Sequence, residues 1–167
     1  MPMQTNNPQL LTRKEMYSTI RFIALEYCII NGPYSKLYLY IDSSGYPIMI
    51  SPVKINYFNQ TIKIAYIPAK LVVLYCLYNE YPVEQHLGIL IHVTRLLERK
   101  SELNYAKQLG MDVSTYRLLE TQHLSNKGLI KISHGNKIYQ FTKDNILSKY
   151  NIPITELNVN VEEYYER

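Results

Sequence analysis

From Thr12 onward the apolar positions repeat with helical spacing. Met16, Ile20, Ile23, Ala24 and Cys28 share one side of a helix, RKEMYSTIRFIALEYCIING, which Thr12 caps and Gly32 stops. The period then falls to two. Leu37, Leu39 and Ile41 alternate with Lys36, Tyr38 and Tyr40; the SSG triplet at 43–45 turns the chain into YPIMIS, and Asn59 and Gln60 offer a turn between VKINYF and TIKIAYI. This pattern predicts a three- or four-stranded antiparallel meander. Pro68 restarts the chain as a helix, AKLVVLYCLYNEY, and Pro82 opens another, VEQHLGILIHVTRLLERK. Leu87, Ile89, Leu90, Ile91, Val93 and Leu97 make the latter apolar round much of its girth, as expected of a helix at the centre of a core or across a subunit interface. Residues 1–11 show no periodicity and are expected to fray.

Residues 101–142 carry the most specific pattern: two short helices, a tight turn between them, and a hairpin. Ser101 caps the first helix, Leu103 and Leu109 face its core side, Ala106 allows close helix approach, and Gly110 permits a left-handed turn. Asp112 or Ser114 caps the second, whose N-terminus is expected to point toward phosphate. On that helix Thr115, Leu118, Leu119 and Gln122 fall on one face, and Ser114, Arg117 and Thr121 on the other. Gly128 bends the chain into LIKIS and KIYQFT, with Gly135 at the tip. This order predicts a winged helix-turn-helix.

In that frame Arg117 is the leading candidate for reading a guanine edge. Ser114, Thr115, Tyr116 and Thr121 are further base or phosphate contacts, with Lys107 on the first helix and Lys131, His134, Asn136 and Lys137 on the wing. The string from Leu124 to Ile130, LSNKGLI, resembles winged-helix transcription factors of the MarR and ArsR kind, in which Leu-x-x-x-Gly-Leu-Ile/Val joins recognition helix to wing. The resemblance covers residues 101–142 only and implies double-stranded DNA as partner. Those families are all-helical upstream, where this chain interposes a sheet. The Tyr- and Ile-rich composition also resembles that of small proteins of crenarchaeal viruses and plasmids.

Charge sharpens the picture. Between His92 and Lys149 ten basic residues face five acidic ones, whereas the segment from 151 onward has one arginine against four glutamates. The winged helix therefore holds the basic surplus, and 151–167 is expected to be a solvated or partner-facing acidic tail. Cys28 and Cys76 sit in apolar runs without a Cys or His at metal-ligand spacing and read as buried thiols. His86 and His92 stand six apart with no carboxylate pair, so neither a zinc nor a nuclease centre is expected. Tyr34, Tyr38, Tyr40, Tyr46, Tyr57 and Tyr66 read as fillers of half-buried sheet faces rather than as a platform for single-stranded bases. No run of about 18 apolar residues occurs, and a cytoplasmic protein is expected.

Together these readings predict an α+β protein: helix and antiparallel platform (1–66), winged helix-turn-helix domain (67–150) and acidic tail. The function expected is that of a homodimeric, sequence-specific DNA-binding regulator without cofactor or enzymatic activity. The alternative is a winged-helix adaptor that binds protein in replication, segregation or virus assembly.

Overall fold

The structure, a computed structural model, describes residues 11–56, 62–150, 152, 154–159 and 161. The expected fraying of 1–10 and the turn at Asn59 and Gln60 lie outside these residues. The order is α1 (Arg13–Asn31), β1 (Lys36–Ile41), β2 (Pro47–Ser51), β3 (Lys63–Pro68), α2 (Ala69–Glu80), α3 (His86–Leu97), α4 (Glu102–Leu109), α5 (Val113–Leu119), β4 (Leu129–His134), β5 (Lys137–Thr142) and α6 (Lys143–Tyr150). Single 3-10 turns lie at Val83–Gln85 and Ile154–Leu157. The fold is α+β.

A capping box starts α1: Thr12 Oγ1 accepts from the Glu15 amide at 3.1 Å, and the Thr12 amide donates to Glu15 Oε1 at 2.9 Å. Its buried stripe is Tyr17, Ile20, Ala24 and Cys28. Ile23, expected in that stripe, is 49% exposed, because it sits about 100° round from Ala24. With Phe22, Ile29 and Ile30 it forms an uncovered apolar face on the opposite side of the helix.

The sheet runs β2-β1-β3, all antiparallel, so β1 is the middle strand and the connection is not a meander. Residues 53–56, expected to be strand, have no regular structure. They cross the outer sheet face instead, where the Tyr40 hydroxyl donates to the Ile55 carbonyl at 2.8 Å and accepts from its amide at 2.7 Å. That double hydrogen bond lets Tyr40 be fully buried. Beside it Tyr38 stacks on Tyr66 at 4.3 Å, and Tyr17 meets Tyr46 at 5.4 Å.

Leu37, Leu39 and Ile41 point from β1 into the core, where α1 and α2 cover them. α2 is buried through Val72, Val73, Leu74, Cys76 and Leu77 and packs chiefly on α1. α3 buries Leu87, Gly88, Leu90, Ile91, Val93 and Thr94 within the chain. Burial pushes the thiols of Cys28 and Cys76 up to about 11 and about 12, which keeps them protonated and unreactive. No described helix is long and apolar enough to cross a membrane.

The described part of the acidic tail is docked, not solvated. Lys70 is 8% exposed, and its Nζ lies 2.8 Å from Glu156 Oε2, while the Tyr78 hydroxyl donates to the Glu156 carbonyl at 3.2 Å. A buried ammonium requires a counter-charge, and the tail supplies one.

Candidate nucleic-acid interface

Ser101 caps α4, its Oγ accepting from the Asn104 amide at 3.1 Å. The helix ends at Gly110, whose φ of 73° is the left-handed geometry glycine adopts without strain. Tyr105, Ala106 and Leu109 are buried; Leu103, expected to join them, is 52% exposed because Tyr105 sets the phase of the helix. Lys107 stands on the solvent side of α4.

α5 has seven residues, two turns. Asp112 caps it by accepting from the Thr115 amide at 2.8 Å. Ser114 and Arg117 are exposed as expected, but Thr115 and Tyr116 are fully buried and are removed from the set of nucleic-acid contacts. The cause is a tyrosine pair: Tyr105 and Tyr116 meet edge to face at 6.3 Å and 86°, which turns this side of α5 inward. Thr121 lies past the end of α5, about 10 Å along the axis from Ser114. It is exposed, and its hydroxyl donates to the Leu118 carbonyl at 3.0 Å.

Arg117 is 61% exposed and donates through Nε to Glu102 Oε1 at 3.2 Å, which leaves both terminal amino groups uncommitted among the described residues. Glu102 was not anticipated from sequence. The signal was a carboxylate in the first turn of α4, a position more readily assigned to the helix dipole.

Alternation in the hairpin divides the wing. Ile130↔Phe141, Ile132↔Tyr139 and His134↔Lys137 pair on the face toward the core; Lys131↔Gln140 and Ser133↔Ile138 pair on the outer face. His134 and Lys137 thus prolong the core face of the wing to the start of α5, whereas Lys131 points the other way. Asp112 records this proximity. Its carboxyl is held below the ordinary carboxylate range chiefly by the Thr115 hydrogen bond, with the charges of His134 and Lys137 adding to the effect. Asn136 is exposed in the two-residue tip. The carboxylate of Asp112 already occupies the N-terminus of α5, so phosphate is not expected to bind there.

The other end of α5 is clamped. Glu120 accepts from Arg95 Nε at 3.2 Å and contacts His92 Nδ1 at 3.0 Å, and Arg95 Nη1 donates to the Lys100 carbonyl at 3.3 Å. Burial works to raise the carboxyl of Glu120, but hydrogen bonds from His92 and Tyr116 and the charges of His92 and Arg95 outweigh it and hold it low. At Gly88 of α3 an added Cβ would lie 2.4 Å from the Glu120 carbonyl oxygen, so the two backbones touch there. His86 Nε2 lies 3.1 Å from both the Tyr78 and Tyr81 carbonyls, and its ring stacks on Tyr78. Both histidines therefore have structural partners.

Among the ten basic residues of 92–149, Arg95, Lys100 and Arg117 are paired with Glu120, Glu98 and Glu102, and Arg99 donates to the Ile29 carbonyl. Lys107, Lys127, Lys131, Lys137 and Lys149 are exposed, Lys143 is half-buried, and these six carry the surplus. Comparison of the chain with family models, with curated proteins and with solved structures found no match.

Proposed function

We propose that the chain is a sequence-specific double-stranded DNA-binding protein, a cytoplasmic transcriptional regulator of winged helix-turn-helix type. The observation that carries this reading is geometric: α5, with Ser114 and Arg117 exposed, packs on β4 of the hairpin whose tip exposes His134 and Lys137. α5 enters the major groove with Arg117 toward a guanine edge, and Lys137 with His134 and Asn136 grips the flanking backbone. Lys107 and Lys131 add long-range attraction.

Homodimerisation belongs to the same reading, with its surface moved. α3 no longer motivates it, since its apolar girth is spent inside the chain. The uncovered face of α1, with Phe22 63% and Ile30 78% exposed, takes its place.

Duplex affinity measured against salt tests the proposal. Affinity should fall steeply as salt rises; Arg117→Ala should relax sequence preference, and Lys137→Ala should weaken all duplexes alike. Failure to bind any duplex at low salt refutes it. The adaptor reading draws on Ile138, 63% exposed on the outer wing face, and Leu103, 52% exposed on α4, apolar groups of a kind that protein partners cover.

A further inference from the structure

A cavity of about 470 Å³ opens between α1, α2, α3 and the end of α5, within the range of small-molecule sites. Its walls are Leu25, Val73, Leu77, Ile89, Val93 and Leu96, and the residues just past α5, Glu120 and Thr121, close one side. The charged groups that line it are already neutralised. Arg21 is bound to Glu80 at 2.9 and 3.3 Å, and Glu120 is held by Arg95 and His92. A ligand bearing net charge would have to break one of these pairs. Tyr81 and His92 also line it, and the closest contact of His92 Nδ1 is the Glu120 carboxylate at 3.0 Å, nearer than Arg95 Nη2 at 3.4 Å. Whenever the ring is neutral this contact places its proton on Nδ1 and leaves Nε2 to accept, whereas the protonated ring, whose charge lowers Glu120, has no acceptor.

We propose that this cavity binds an uncharged, mostly apolar molecule of two or three rings bearing one hydrogen-bond donor, and that its occupancy changes the affinity of the winged helix for DNA. The donor is received by His92 Nε2. The link to α5 is mechanical. Gly88 leaves no slack between α3 and the Glu120 backbone, so a ligand pressing on Ile89 and Glu120 from within the cavity shifts α5 as a unit relative to α1. Binding itself does not depend on the DNA reading; the regulatory half rests on it.

N-phenyl-1-naphthylamine, a neutral aryl amine with one N–H and fluorescence that rises in apolar surroundings, is a suitable probe. Titrated into the full chain, it should saturate at one per protomer. Leu96→Trp, which fills the cavity, should weaken it at least about tenfold, and Phe22→Ser on the exposed face of α1 should leave it unchanged. Methyl NMR of the unaltered chain gives a second readout that needs no variant: Leu25, Val73, Ile89 and Leu96 should shift together. Binding that does not saturate, or that Phe22→Ser abolishes while Leu96→Trp spares, overturns the site. Duplex affinity with and without saturating probe should differ by roughly 5- to 150-fold. Saturable binding with unchanged duplex affinity overturns the regulatory half, and absence of any duplex binding overturns the DNA reading while the probe titration still decides the cavity.

Discussion

The two ends of α5 are built on opposite principles. Its C-terminal end is fixed: Glu120 is gripped by His92 and Arg95, and α3 presses on the backbone at Gly88. Its N-terminal end is capped by the Thr115 amide donating to Asp112 and packs on α4 through the buried Tyr116, while Ser114 stays in solvent. A helix that must present side chains to a partner is served by this asymmetry. On the proposed reading, rigidity comes from the end away from the partner, and the opposite end keeps Ser114 in solvent.

The contrast breaks most sharply at Gly88. Gly88→Val places carbon where the Glu120 carbonyl oxygen stands and should cost about 3 kcal/mol in a denaturant titration. Glu120→Gln should cost about 2 kcal/mol at neutral pH by leaving Arg95 without its counter-charge. It should also change the acid limb. The folded carboxyl of Glu120 lies below its ordinary 4.5, so it stabilises above that value and the contribution disappears as pH falls through the lowered folded value. Stability measured from about pH 6 to about pH 3 should therefore fall less steeply in the variant than in the parent.

At the open end the expected effects are smaller. Asp112→Ala should lower stability by removing the cap, and by less than Glu120→Gln does. Asp112→Asn keeps the acceptor and removes a negative charge from beside Lys137, so stability should hold and duplex affinity should rise; an unchanged affinity would place the partner away from this end. Lys131→Ala and Lys137→Ala should each alter stability by less than about 0.5 kcal/mol. Their effects on duplex binding should differ, with Lys137 the larger, because the two lysines occupy opposite faces of the hairpin.

What was legible in the sequence was local. The caps at Thr12 and Ser101, the choice of Asp112 or Ser114 as the cap of α5, the left-handed Gly110 and the hairpin at Gly135 follow from residues within four positions of one another. The inward face of α5 was not legible in full. Two turns hold too few apolar residues to fix a phase, and Leu118 beside Leu119 drew the predicted face away from Tyr116. The partner that settles the matter, Tyr105, lies on another helix. Strand order failed for the same reason, since nothing in KLYLYI says that it will have neighbours on both sides. Gly88 did leave a trace, as an isolated glycine inside a strongly apolar helix. His92 and Arg95, three apart on α3, were another trace, of a polar seam toward α5.

The Arg117 to Glu102 pair has a consequence for entropy. A free arginine side chain carries about 2 kcal/mol of rotamer freedom, much of which is surrendered on docking to a base. Held through Nε, Arg117 has given up part of that freedom before any partner arrives. Removing the support with Glu102→Ala should leave the reading group chemically intact yet weaken its preferred duplex more than unrelated ones, a loss of selectivity that arises in the unbound protein.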